Sequence, residues 1–103
     1  MPVVSVTVPS DLAIDRAALL SAINAAVARA LALTEDDVHS QLSLAVAGGT
    51  GESAVTPWPI AILHGRCRDA IMMSTAEQSV VTVLAGFTGR DREEVWVQWM
   101  VKE

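Results

Sequence analysis

The feature that most limits what this chain can fold into is an internal repeat. Residues 2–46 superpose on residues 59–103 without a gap at an offset of 57, so that Pro2 falls on Pro59, Ile14 on Ile71, Ala28 on Ala85, Val38 on Val95 and Gln41 on Gln98. Only about six of the 45 paired positions are identical, so the order of elements carries the repeat more than the letters do. The spacing predicts what each copy is. Residues 3 to 8 are β-branched and partly alternating, a strand that opens directly after a proline unable to donate to a ladder. From Asp15 to Leu31 the apolar positions Leu19, Ile23, Ala26, Val27 and Ala30 recur at helical spacing, with Asp15 as N-cap. Polar residues 34 to 37 punctuate the chain, and a second strand follows from Val38 to Val46. A strand, a helix and a strand make a βαβ unit, whose strands are expected to run parallel.

The second copy repeats the order. Residues 59 to 63 form a strand, Ser74-Thr75-Ala76-Glu77 has the spacing of a capping box opening a helix to about Phe87, and Gly89 ends that helix. After polar residues 90 to 94 comes a last strand, 95 to 101. Between the copies, residues 47 to 58 read as a plain connection; Gly48-Gly49-Thr50-Gly51 lacks the Lys-Ser/Thr ending of a phosphate-binding loop. With 103 residues there is room for one core, so residues 1–103 are expected to form one domain of two units, about 2–46 and 59–103.

Charge and composition narrow the function. Seven Lys and Arg against twelve Asp and Glu give a net charge of −5, so there is no basic surface for nucleic acid. Residues are 51% hydrophobic and 18% charged, too apolar for disorder, and a domain this small leaves apolar area for another subunit. Uncharged runs such as residues 38 to 51 fall short of a bilayer span, and no basic, apolar leader opens the chain, so the expectation is a cytoplasmic protein with no membrane partner. Cys67 is the only cysteine, and His39, His64 and Cys67 do not make a metal-ligand set at useful spacing.

Pro2 directly after the initiator methionine, the segment Leu63-His64-Gly65-Arg66-Cys67-Arg68 ending the third strand, and Asp91-Arg92-Glu93-Glu94-Val95-Trp96-Val97-Gln98 leading into the fourth carry a resemblance. Together with the doubled βαβ order, they make the chain resemble the tautomerase superfamily. The likeness is to its two-unit members of the macrophage migration inhibitory factor and carboxymethyl-hydroxymuconate isomerase type. The resemblance implies an α+β fold, βαββαβ, with a four-stranded mixed sheet and two helices on one face. It also implies a homotrimer, a cofactor-independent keto-enol tautomerase (an isomerase) of a small carbonyl carboxylic acid, an amino-terminal proline as base and a pocket shared between subunits.

The chemistry at Pro2 follows independently of any family. Removal of Met1 would expose a secondary amine; α-amino groups titrate near pH 8, and burial in apolar surroundings disfavours the ammonium form. Such an amine takes a proton from carbon beside a carbonyl. With Met1 in place the same nitrogen is an amide without basicity. Pro59 is internal and reads only as a strand-opening proline.

A carboxylate substrate needs cations opposite the base. The arginines that short family members carry after the first strand and early in the second are missing: Asp11 and Leu12 lie near the first position and His39 near the second. The lysine that factor-type members place before the second strand is Leu33 here. Arg66 and Arg68 are the cations that family geometry would set beside the base, and each reads equally as a solvated surface arginine. Trp96 and Gln98 occupy the positions of a tyrosine and an asparagine that line the pocket from a neighbouring subunit, and Trp96 reads equally as a core or interface aromatic. His39 is read as a solvent-facing strand residue or a substrate contact. Two other functions stay open: a catalytically inactive tautomerase-fold protein, and a ferredoxin-like small-molecule-binding module, which would have an antiparallel sheet.

Overall fold

A computed structural model describes residues 1–102; Glu103, the last residue of the second unit, lies outside them. Strand β1 (Val3–Pro9), helix α1 (Arg16–Leu31) and strand β2 (His39–Ala45) form the first unit. Strands β3 (Gly48–Thr50) and β4 (Ser53–Val55) follow, and β5 (Ile60–Gly65), α2 (Ala70–Thr88) and β6 (Trp96–Val101) form the second unit. The main sheet has the order β2-β1-β5-β6. Its outer pairs, β1 with β2 and β5 with β6, are parallel, and the central pair β1 with β5 is antiparallel. This mixed sheet with two helices is the α+β arrangement expected, and its parallel outer pairs remove the ferredoxin-like alternative.

The 57-residue offset holds in the backbone. The amide of His39 donates to the Pro2 carbonyl (3.1 Å), and the amide of Trp96 donates to the Pro59 carbonyl (3.0 Å). Short 3₁₀ turns lie at Glu35–Asp37 and Arg92–Glu94. Helix α1 ends on Ala32 and α2 on Gly89, both left-handed, with φ of 56° and 72°. Ser5 pairs with Ile62, its own equivalent, so an approximate twofold axis passes between the central strands.

One face of the sheet is buried and the other is open. Val4, Val6, Val8, Ala61, Leu63 and Trp99 pack against Leu19, Ile23, Val27 and Leu31 of α1 and Ala76, Val80 and Leu84 of α2 in a single core. Alternation along the strands turns the remaining side chains to the other face. In register these form three rows: His39, Val3, His64, Met100; Gln41, Ser5, Ile62, Gln98; and Ser43, Thr7, Ile60, Trp96. Among the described residues that face holds no carboxylate, and Ile60, Trp96 and Met100 are exposed on it.

Three local expectations are corrected. The connection at residues 47 to 58 contains an antiparallel hairpin, β3 with β4, whose strands are too short and glycine-rich to give a strand pattern. Helix α2 starts at Ala70 instead of Ser74, because Asp69 caps it, accepting from the amides of Ile71 (2.9 Å) and Met72 (3.4 Å). Glu77 does not close a capping box; its carboxylate crosses to β6 and accepts the Trp99 amide (2.8 Å) at the sheet edge. Finally, α2 is long and apolar enough by length and composition to cross a membrane, although Glu77 interrupts its uncharged run. Its Ala76, Val80, Val81 and Leu84 are buried in the core.

Candidate active site

Pro2 is less than 2% exposed, held at the sheet end by the His39 amide, while Met1 before it is 80% exposed. The antiparallel central pair brings the end of β5 back to the start of β1, so the segment after Gly65 arrives beside Pro2. Two adjoining hollows result. One, of about 270 Å³, is lined by Met1, Pro2, Gly65, Arg66, Arg68 and Lys102. The other, of about 360 Å³, shares Met1, Pro2, Arg66 and Arg68 and adds Leu33 and Asp37.

The electrostatics of these hollows are unbalanced. Among the described residues the one ion pair is Arg90 with Glu94 (3.1 Å), so Arg66, Arg68 and Lys102 face no carboxylate at ion-pair distance. Arg66 is exposed; Arg68 is half-buried, and its Nε is buried without a hydrogen-bond partner. A buried donor without a partner is costly, which makes this N–H a ready site for an acceptor brought by a ligand. Asp37 keeps its carboxylate near the turn, where Oδ2 accepts from the Thr34 amide (3.2 Å) and hydroxyl (3.0 Å).

Gly65 keeps the floor thin. A Cβ built on it would lie 2.8 Å from Cζ2 of Trp99, so the indole fills the space that a side chain would need. Beside it, the Lys102 amide donates to the Gly65 carbonyl (2.7 Å), which ties the end of β6 to the end of β5.

The six side chains singled out from the sequence fall into two groups. Pro2, Arg66 and Arg68 come together. His39 is joined to Pro2 through its backbone only; its ring stands exposed on the open face, with Nε2 3.3 Å from Gln41 Oε1, and does not line either hollow. Trp96 and Gln98 are not at the Pro2 end of the same chain. Trp96 pairs with Ile60 at the opposite end of the sheet, where it lines an apolar hollow of about 450 Å³ with Val55, Pro57, Trp58 and Ile60. Sequence reasoning missed Lys102 and Asp37. The pairing of Gly65 with Val101 carried the signal for Lys102, since the next residues of two parallel strands, Arg66 and Lys102, must then emerge side by side. Asp37 was hidden in a run of polar punctuation. Among the described residues no three His, Cys, Asp or Glu side chains cluster to hold a metal, and Cys67 is exposed.

Solved structures of similar shape cover nearly the whole chain. A fused 4-OT asymmetric trimer superposes with a TM-score of 0.88 at 18% identity, over 97% of this chain and 85% of that one. A macrophage migration inhibitory factor-like protein from Entamoeba histolytica gives 0.81 at 10% identity, over 98% and 88%. Malonate semialdehyde decarboxylase gives 0.70 at 17% identity, over 98% and 84%. No family model matches the sequence, and no curated protein matches it. At these identities the likeness is one of fold: these neighbours are all tautomerase superfamily proteins, and the chain has the tautomerase superfamily fold.

Proposed function

We propose that this protein is a cofactor-independent, cytoplasmic tautomerase of a small 2-oxo or enol carboxylic acid, working as a homotrimer with the Pro2 amine as general base after loss of Met1. The observation that carries the reading is the buried Pro2 ring in a hollow shared with two arginines that pair with no carboxylate among the described residues, one of them with a buried Nε that has no partner there. Loss of the exposed Met1 leaves the Pro2 ring in place and turns its nitrogen from an amide into an amine at the hollow. That amine takes the proton from the carbon beside the substrate carbonyl. The C–H electron pair becomes the C=C bond, the carbonyl π pair moves to oxygen, and the ammonium returns the proton to that oxygen. Arg66 and Arg68 hold the carboxylate and stabilise the oxygen as its charge develops.

The open sheet face supports the trimer. It exposes Ile60, Trp96 and Met100, carries no carboxylate among the described residues, and in a structure as small as this calls for cover by another copy. Trp96 and Gln98, away from their own Pro2, then serve as walls for the Pro2 hollow of a neighbouring subunit. A second reading has its own support. Asp37 shares a hollow with Pro2 and both arginines, which adds an acid or base for hydration or for decarboxylation of a 3-oxo acid, and malonate semialdehyde decarboxylase is among the similar structures.

The test is turnover by protein whose intact mass shows Met1 removed, checked as a trimer by sedimentation. Phenylenolpyruvate or 2-hydroxymuconate should be ketonised at a rate well above buffer by the same steps in reverse, the amine taking the enol O–H proton and the ammonium delivering it to carbon. A trimer inert on both but active on a 3-oxo acid decides for the second reading, and one inert on all three is the inactive protein of this fold.

A further inference from the structure

We propose that Glu77 of α2 is a positioning residue for the Pro2 hollow: by holding the β6 backbone at Trp99 it fixes the floor under Gly65 and the direction in which Arg66 leaves the sheet. This rests on the carbonyl-acid reading above and adds a residue to its machinery. Glu77 is the one charged residue among the 19 of α2. It sits half-buried, pairs with no cation among the described residues, and accepts from the Trp99 amide at 2.8 Å. Turning the only charge of an apolar helix toward the sheet costs solvation, so packing alone does not select it there. The second unit alone carries this device. The 57-residue offset puts Leu20 at the place of Glu77 and Leu42 at that of Trp99, so α1 offers no side-chain acceptor to the matching edge amide. The floor follows the same division, with Val8 at the place of Gly65.

Trp99 is 9% exposed, and its Nε1 is buried without a hydrogen-bond partner among the described residues, so no polar contact of the ring itself fixes it. Packing and the backbone set its place. On the inner side that backbone belongs to the ladder with β5; on the outer side β6 is the sheet edge, and Glu77 supplies the partner there. The ring in turn lies against Gly65, where a Cβ would come within 2.8 Å of Cζ2. Gly65 ends β5 and Ala70 begins α2, so residues 66–69, with Arg66 and Arg68, are strung between strand and helix. Glu77 braces both anchors, because it lies about two turns into α2 and ties that helix to the strand beside β5. A shift of either anchor moves guanidinium groups that line both hollows, and a misplacement of about 1 Å at such groups costs on the order of a hundredfold in rate.

Steady-state kinetics on Met1-free Glu77→Leu and Glu77→Gln tests this, with Val8→Ala as the control for stability lost at the other end of the sheet. Glu77→Leu takes the residue of the first unit, so the helix keeps its packing and loses only the acceptor. It should lower kcat about tenfold and change KM less than about twofold, since misaligned arginines lose most where charge develops, in the transition state. Glu77→Gln keeps an acceptor oxygen and should hold kcat within about twofold of the parent, and Val8→Ala should leave kcat unchanged well below its Tm. No loss in Glu77→Leu, or an equal loss in Val8→Ala, overturns the proposal. Glu77→Gln as slow as Glu77→Leu assigns the effect to the charge and overturns the hydrogen-bonded brace. Emission of Trp99, read in chains carrying Trp58→Phe and Trp96→Phe, decides the point independently of turnover. It should move to the red and become more open to acrylamide in Glu77→Leu and stay as in the parent in Glu77→Gln; unchanged emission in Glu77→Leu overturns the brace. A parent inert on carbonyl acids whose emission responds in this way fails the tautomerase reading alone, and turnover that Glu77→Leu leaves intact fails Glu77 alone.

Discussion

The two ends of the sheet are built on equivalent backbones and have opposite chemistry. At one end Pro2 shares its hollows with Arg66, Arg68, Lys102 and Asp37. At the other, the positions 57 residues away from those four hold Pro9, Asp11, Ala45 and Glu94. The acid is treated differently as well. Glu94 is tied to Arg90 at 3.1 Å, whereas the equivalent of Arg90 is Leu33, so Asp37 is left with the Thr34 amide and hydroxyl as partners. Pro59 is covered by the Trp58 peptide bond and sits beside an apolar hollow lined by tryptophans, while Pro2 is covered by one exposed methionine. Among the described residues the duplicated unit thus carries one end whose charged side chains are Asp11 and the paired Glu94, and one end where Arg66, Arg68 and Lys102 outnumber Asp37. A buried donor without a partner is costly unless a ligand uses it, and the Arg68 Nε beside Pro2 is such a donor, which is why the Pro2 end reads as a site and the Pro59 end as structure.

The comparison can be broken most sharply at the arginines. Replacing Arg66 and Arg68 together by alanine should lower kcat/KM for carboxylate-bearing enols at least about a hundredfold, since each charge-assisted contact is worth about 1.5 to 3 kcal/mol. Arg90→Ala at the other end should leave kcat/KM unchanged; steady-state kinetics on the two variants checks both. Next in size is the packing at the floor. Gly65→Ala puts a Cβ 2.8 Å from the Trp99 ring and should cost about 1 to 3 kcal/mol in urea unfolding, with tryptophan fluorescence shifted. At the equivalent position the larger residue is the fitting one. Val8 is buried at 2% exposure, and Val8→Ala should cost about 2 kcal/mol by leaving a gap.

Smaller effects sit at the helix ends. Ala32 and Gly89 occupy the same left-handed position of the two units, with φ of 56° and 72°. Ala32→Gly should stabilise the fold and Gly89→Ala destabilise it, each by about 1 kcal/mol, read as opposite shifts in Tm. Smallest is the partly exposed pair itself. Arg90→Ala should cost no more than about 1 kcal/mol of stability, because solvent screens the Arg90–Glu94 contact.

Much of this was legible in the sequence, and the reasons differ by element. The first unit was readable because β-branched alternation, a helical apolar stripe and the Asp15 cap all point the same way; Asp15 does cap α1, accepting from the Ala18 amide at 3.0 Å. The start of α2 differs from the expectation because two capping signals, Asp69 and Ser74, compete five residues apart. Asp69 won, and Glu77, freed from the box, reached the Trp99 amide on β6 instead. The hairpin at Gly48–Thr50 and Ser53–Val55 left no periodic trace. Of the site, Pro2, Arg66 and Arg68 were visible in one stretch or at a chain end, whereas Lys102 and Asp37 join them only through strand pairing and the 3₁₀ turn that follows α1. Trp96 and Gln98 lie on the open face, and their placement beside a Pro2 depends on a second copy.

The central claim is that the Pro2 nitrogen acts as an amine, and one comparison of three proteins tests it most directly. Tautomerase activity is measured for the Met1-free chain, for a form with an uncleavable extension before Pro2, and for Pro59→Ala, each confirmed by intact mass and equal sedimentation. The extended form keeps the Pro2 ring but makes its nitrogen an amide, so activity should fall to background, a loss of about 100-fold or more for a general base, while Pro59→Ala keeps full activity. An extended form as active as the Met1-free chain would contradict the claim and leave the Pro2 end without its base.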